Sequence, residues 1–152
     1  MHLVLVEPEI PQNTGNVART CVMTGTRLHL VEPLGFSLAE KEVRRAGLDY
    51  WQYLDLKVHQ DFISLQEAYS EARFICFTTR GKEHYHRINY RPEDFLVFGS
   101  ETSGLNQEIL SQANVTARIP MLDQIPRSLN LGNSVALVLY EALRQQGFPG
   151  MV

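Results

Sequence analysis

Ile119-Pro-Met-Leu-Asp-Gln-Ile-Pro-Arg-Ser-Leu-Asn-Leu-Gly-Asn-Ser-Val-Ala-Leu-Val-Leu-Tyr140 is the stretch on which the reading of this chain turns. A proline-punctuated loop runs into a polar cluster, Ser128, Asn130, Asn133 and Ser134, and an apolar helix follows at once. The spacing predicts a helix from about Leu129 to Gln146, with Gly147 as its C-cap. Asn130, Asn133, Leu137 and Tyr140 then share one face. Polar side chains at the start of a mostly buried helix cost free energy unless they bind something. Ordinary capping by Ser128, with the asparagines at turn positions, accounts for the same residues equally well. Val135 to Leu139 is an unbroken apolar run, more than a single-faced helix needs. Either the chain encloses this helix, or its outer face meets a second subunit.

Upstream, short apolar runs alternate with helical patterns. Strands are expected at His2–Val6, Leu28–Val31, Leu56–His59, Phe74–Thr78, Phe95–Phe98 and Val115–Ile119. The loop Pro11-Gln-Asn-Thr-Gly15 opens a helix from Asn16 to Thr24, and a second helix is expected over Leu38–Ala46. Ser64-Leu-Gln-Glu67 has the form of a capping box in a helical region reaching Ala72. This alternation predicts an α/β domain with a mainly parallel sheet. Ligands of such sheets lie beyond the carboxyl ends of the strands. Three polar loops leave strands there: Thr78-Thr-Arg-Gly-Lys82, Gly99-Ser-Glu-Thr-Ser-Gly104 and Pro120 to Ser128. They converge if their strands are neighbours.

The 152 residues suffice for one domain with a real core, and no linker or repeat divides them. No apolar run nears the roughly 20 residues that span a bilayer. The start, broken by Glu7 and Pro8, is not a signal peptide. Cys21 and Cys76 sit in apolar surroundings and read as buried thiols of a reducing compartment more than as a disulfide. A net charge of −3 argues against indiscriminate nucleic-acid binding but permits a local basic patch. Of the basic residues, 11 are Arg and three are Lys, which favours phosphate and base contacts through paired N–H groups unless it is simple composition bias.

The Gly99–Gly104 loop lets backbone approach a ligand, but it is neither a dinucleotide fingerprint nor a Walker loop, and a plain turn is the simpler reading. On the first helix Asn16, Arg19 and Thr20 form a polar stripe, with Val17, Ala18, Cys21 and Val22 toward the core and Asn13 just upstream. Arg19 is either a phosphate or substrate clamp or a solvated surface cation. His84 and His86 have no zinc-type companions and read as exposed loop histidines, and Cys76 reads as core.

Three ordered segments, Asn13-Thr-Gly-Asn-Val-Ala-Arg-Thr20, Val97-Phe-Gly-Ser-Glu-Thr-Ser-Gly-Leu105 and Ile119-Pro-Met through Arg127-Ser-Leu-Asn-Leu-Gly-Asn-Ser134, resemble the motifs of SPOUT-class RNA methyltransferases. Val4 to Asn16, Arg44-Arg-Ala-Gly-Leu-Asp-Tyr50 and the end from Tyr140 to Gly150 resemble the TrmL-type (YibK-like) branch, which methylates the wobble nucleotide of tRNA on its ribose 2′-hydroxyl. The resemblance covers essentially the whole chain. It implies an α/β fold, helices on both faces of a mainly parallel sheet, closed by a C-terminal trefoil knot. It also implies a single SPOUT domain over 1–152, a cytoplasmic homodimer and S-adenosyl-L-methionine as donor without a metal. The partner it implies is the anticodon stem-loop of tRNA, with no DNA and no membrane.

Carried over by position, the donor pocket comprises Phe77, Gly99, Ile119, Ser128 and Leu129. Substrate contacts fall on Asn13, Arg19, Arg44, Arg45, Arg80, Lys82, Arg127 and Asn133. Tyr140 and Arg19 are the candidates for chemistry. Arginine stays protonated in proteins, so Tyr140 is the better proton acceptor and Arg19 the better clamp. Methylation at another tRNA or ribosomal RNA position, a catalytically silent RNA- or nucleotide-binding module on this fold, and an unknotted nucleotide-binding domain are the competing readings.

Overall fold

The computed structural model describes residues 1–38, 50–125 and 127–152. Seven strands are found among them: β1 (His2–Val6), β2 (Arg27–Val31), β3 (Leu56–His59), β4 (Phe74–Phe77), β5 (Glu83–His84), β6 (Phe95–Phe98) and β7 (Val115–Arg118). They form one sheet in the order β3-β2-β1-β6-β4-β7-β5, with every pairing parallel. The α-helices among the described residues are α1 (Pro11–Thr24), α2 (Phe62–Ala68), α3 (Gln107–Gln112) and α4 (Leu131–Gln145).

β4 and β6 are apolar at every position, and β1 is from Leu3 on, because both faces of the sheet are covered. In β1, Leu3 and Leu5 face a core completed by Val17, Ala18 and Cys21 of α1 and Val135, Val138 and Leu139 of α4. Val4 and Val6 face the opposite core, with Phe62 and Leu65 of α2 and Ile109 of α3. The two buried cysteines lie in different cores, Cys21 under the first face and Cys76 under the second. Burial pushes both thiols up, Cys76 to about 12, so neither is a thiolate at neutral pH.

Several boundaries differ from the sequence expectation. Pro11 to Gly15, expected as a loop, is the first turn of α1. Proline fits the N1 position because its missing N–H has no partner in a first turn. The helix at 62–68 is capped by Asp61, whose carboxylate accepts from the Ser64 amide at 2.7 Å, so Ser64 is not the cap of a box with Glu67. This helix ends at Ala68, short of the expected Ala72. The last helix begins at Leu131 and is capped by Asn130 rather than Ser128. The six-residue α3 and the two-residue β5 carried too little periodicity to be anticipated. The helix expected over 38–46 falls on residues 39–49, outside the described residues, as do Arg44 and Arg45.

On the second face a row of imidazoles crosses three strands. His2 Nδ1 lies 3.0 Å from His29 Nε2, and His29 Nδ1 lies 3.0 Å from His59 Nε2. Tyr69 and Phe95 pack against these rings. His29 is 0% exposed. Burial first, then the neighbouring His2 and His59, push it down to about 3 from the ordinary 6.5. His2 and His59 are also held below their ordinary value, chiefly by burial.

The sign of the linkage follows. Above pH 6.5 neither folded nor unfolded chain protonates this imidazole, and between 6.5 and about 3 only the unfolded chain does. Stability is therefore expected to fall as pH drops through that window. Thermal melts from pH 7 to pH 4 check this, with the melting temperature expected to decline and His29→Gln to flatten the decline. A pH-independent melting temperature in the unsubstituted protein would count against it.

Candidate active site

Strands β6, β4 and β7 are neighbours, so the three loops leaving their carboxyl ends do converge. They enclose a cavity of about 460 Å³, within the range of small-molecule sites. Its apolar floor is Phe77 and Phe98, stacked with centroids 4.7 Å apart. Ile119 and Leu129 add apolar wall, while Ser100, Thr102, Ser103 and Ser128 bring hydroxyls. All five residues assigned to the donor pocket, Phe77, Gly99, Ile119, Ser128 and Leu129, line this cavity, as do Asn13 and Arg127.

The Gly99–Gly104 loop is folded back tightly. The Gly104 amide donates to the Ser100 carbonyl at 3.0 Å, and Ser103 N donates to Ser100 Oγ at 3.2 Å. Gly104 has φ +67°, and a Cβ on Gly99 would sit 2.1 Å from the Gly104 carbonyl carbon. Only glycine fits at position 99, since the obstructing atoms are backbone.

Glu101 holds the site to the rest of the chain. Its carboxylate accepts from the amides of Glu9 at 2.8 Å and Ile10 at 3.2 Å, and from Asn13 Nδ2 at 3.0 Å. Ile10 is the N-cap residue of α1 and offers no capping side chain, so Glu101 supplies the negative charge that this helix start favours. Glu9 reciprocates, accepting from Thr102 N at 3.0 Å and Thr102 Oγ1 at 2.6 Å. Asn13 Oδ1 then accepts from Asn130 Nδ2 at 2.9 Å, and Asn130 Oδ1 caps α4 through the amides of Gly132 at 2.9 Å and Asn133 at 3.3 Å. The ties made by Glu101 and Asn130 are not legible in the sequence. An acid in a Gly/Ser loop and an Asn just before an apolar helix were the available signals.

Other expected residues lie outside the cavity. Arg19 is exposed on α1, its guanidinium 4.9 Å from the centroid of the Tyr50 ring. The polar stripe is as expected, with Asn16 and Arg19 outward and Val17, Ala18 and Cys21 buried. Tyr140 is 41% exposed on the outer face of α4, beside Phe148 at 6.4 Å between centroids. Leu137 on that face is 39% exposed, and Asn133 is exposed as well. Arg80 and Lys82 are exposed just past Thr79, which lines the cavity.

Similarities to known proteins agree with this geometry. The SpoU rRNA Methylase family matches residues 1–140. A tRNA (cytidine(34)-2′-O)-methyltransferase of Burkholderia ambifaria is 50% identical, over 98% of this chain and 97% of that protein. A solved structure concerning 2-OH methylation of C/U34 on tRNA is 46% identical, with a TM-score of 0.92 over 96% of this chain and 95% of that one. An AdoMet-bound rRNA methyltransferase from Sinorhizobium meliloti is 27% identical, with a TM-score of 0.83 over 94% of this chain and 55% of that one.

Glu101→Ala would strand two backbone N–H groups and the Asn13 amide. A loss of about 2–3 kcal/mol is expected in denaturant unfolding, together with weaker ligand binding in the cavity. Gly99→Ala should be at least as damaging, because its obstruction is backbone. Unchanged unfolding midpoints in both variants would contradict the role given to this loop.

Proposed function

Because the chain belongs to the SpoU rRNA Methylase family, matched across residues 1–140, we propose that it methylates the ribose 2′-hydroxyl of the wobble nucleotide of tRNA, a cytidine or modified uridine at position 34, using S-adenosyl-L-methionine. What carries the reading is 50% identity to a cytidine(34) enzyme over 98% of the chain, combined with a three-loop cavity formed by the motif residues. The donor supplies an electrophilic methyl group on a sulfonium centre, and its leaving thioether is neutral.

The cavity fits such a donor. The stacked Phe77–Phe98 floor with Ile119 and Leu129 offers apolar surface for a purine, and the hydroxyl-bearing loops offer partners to its polar groups. Gly99 and Ser128 bring backbone and hydroxyl close to it. The protein must align the ribose hydroxyl with the methyl group and accept its proton. Tyr140 is the proton acceptor in this reading. Arg19, steadied against Tyr50, clamps the substrate phosphate or ribose. Asn13, Asn133, Arg44, Arg45, Arg80, Lys82 and Arg127 are read as contacts to the anticodon stem-loop.

Neither Arg19 nor Tyr140 lines the cavity of its own chain, which supports a homodimer in which Tyr140 of one protomer serves the site of the other. The exposed Leu137 and Tyr140 on α4 and Met23 on α1 are apolar surface suited to a twofold interface. In the same reading residues 1–152 act as one domain, α4 is the knotted helix and the work is done in the cytoplasm. Among the described residues no helix is long and apolar enough to cross a membrane.

Mass mapping of tRNA after incubation with protein and donor tests the reaction. One ribose methyl at position 34 is expected, and methylation elsewhere, or on a base, would refute the assignment. Tyr140→Phe keeps the ring and removes the hydroxyl. Methyl transfer should drop about 10²-fold or more, with donor affinity by calorimetry and melting temperature near wild type. Near-normal turnover would remove Tyr140 from the chemistry.

A further inference from the structure

Beyond Thr79 at the cavity rim, the chain turns along the outer edge of the sheet and carries an unusual density of positive charge. From Thr78 to Pro92 it holds Arg80, Lys82, Arg87 and Arg91, with His84 and His86, against the single carboxylate of Glu83. The protein as a whole has a net charge of −3, so this segment runs against its average.

The edge is rigidly built. Gly81 is pressed against β7 so closely that a Cβ would lie 2.1 Å from the Ala117 carbonyl carbon. From β7, Arg118 Nη1 donates to the Gly81 carbonyl at 2.9 Å, and its Nη2 lies 3.2 Å from His84 Nε2. A guanidinium only donates, so His84 Nε2 is the acceptor and Nδ1 carries the proton, free to donate elsewhere. The His86 ring is 5.6 Å from that of His84, and Arg87 lies within electrostatic reach of it.

Glu83 acts on His84, but it is outnumbered by the cations around it. Among the described residues, no salt bridge within 4 Å involves Arg80, Lys82, Arg87 or Arg118. Glu141 of α4 is near enough to feel His86, but it is bound by Arg144 and Gln145, which hold it down at about 2. A cluster in which cations outnumber the single carboxylate of Glu83, with Arg118 and His84 held in place, suits a phosphate, whose oxygens accept several N–H bonds at once.

We propose that Arg118, His84 and Arg87, with Lys82, form a seat for a backbone phosphate of the RNA, at a nucleotide other than the one being methylated. The seat rests on the RNA-methylating reading above. It spans β7, which carries Arg118, and the edge strand β5 with its flanks, reached from the cavity through Thr79 and Arg80, so it suits the RNA strand leading away from the reacting ribose. Its contribution is to affinity and register, since phosphate contacts position a nucleic acid without reading its sequence.

The test is the double variant Arg87→Gln/His84→Gln in the full-length protein, leaving Arg118 in place because it pins Gly81. Donor affinity by calorimetry is expected to match wild type. KM for tRNA should rise about tenfold with kcat unchanged, and the salt dependence of tRNA binding should flatten by roughly one unit of slope. Lys57→Gln, on the opposite edge strand β3, should alter neither quantity. An unchanged KM and slope in the double variant, or an equal change in Lys57→Gln, overturns the seat while leaving the methyltransferase reading intact. A wild-type protein that binds no tRNA overturns both.

Discussion

The bond chain from Glu101 through Asn13 to Asn130 is the constraint on which the remainder of the site depends. It joins the loop after β6, the first turn of α1 and the cap of α4, three pieces separated by about ninety and then more than a hundred residues of sequence. Each member discharges two duties. Glu101 neutralises the start of one helix while fixing its own loop, and Asn130 caps another helix while reaching back to Asn13. Hydrogen bonds to a charged group are among the stronger ones, and a broken link leaves groups in a half-buried setting without partners. The cavity is therefore a product of the loops being tied to one another rather than of each loop's own preference.

That dependence explains what was readable in advance. The strands β1, β4 and β6 were plain because burial on both faces demands continuous apolar runs, and their loops had to emerge at one end of a parallel sheet. The five positions expected to hold the donor came from the family motifs; Phe77 ends β4, and Gly99, Ile119, Ser128 and Leu129 lie on those loops. The first turn of α1 was not readable, because Pro11, Asn13 and Gly15 spell a loop locally. What makes them helical is a carboxylate some ninety residues away. Ser128 was the expected cap and the asparagines were expected at turns; Asn130 caps the helix instead, held there by Asn13, again a distant partner. The edge strand β5 and the short α3 are held by neighbours and leave little periodic trace.

The two faces of the sheet are put to different uses. One carries α1 and α4, whose outer surfaces present Arg19, Asn133 and Tyr140. The other holds α2 and α3 over a compact core, interrupted by the imidazole row of His2, His29 and His59. The cavity sits at the carboxyl ends, where both cores contribute a wall: Phe77 and Phe98 from the first, Leu105 from the second. The exposed polar residues of α1 and α4 and the imidazole-bearing core thus lie on opposite faces of the sheet.

The imidazole row also has a direction. His2 Nε2 lies 3.5 Å from the carboxylate of Glu93, which accepts and so asks for a proton on that nitrogen. His2 Nδ1 must then accept, so His29 donates from Nε2. His29 Nδ1 accepts in turn from His59 Nε2. Three neutral rings are locked into the same tautomer, and no single ring can switch without breaking a bond to its neighbour. An acidic side chain beside β1 thereby dictates which nitrogen of His59 stays bare on the edge strand β3, two strands away.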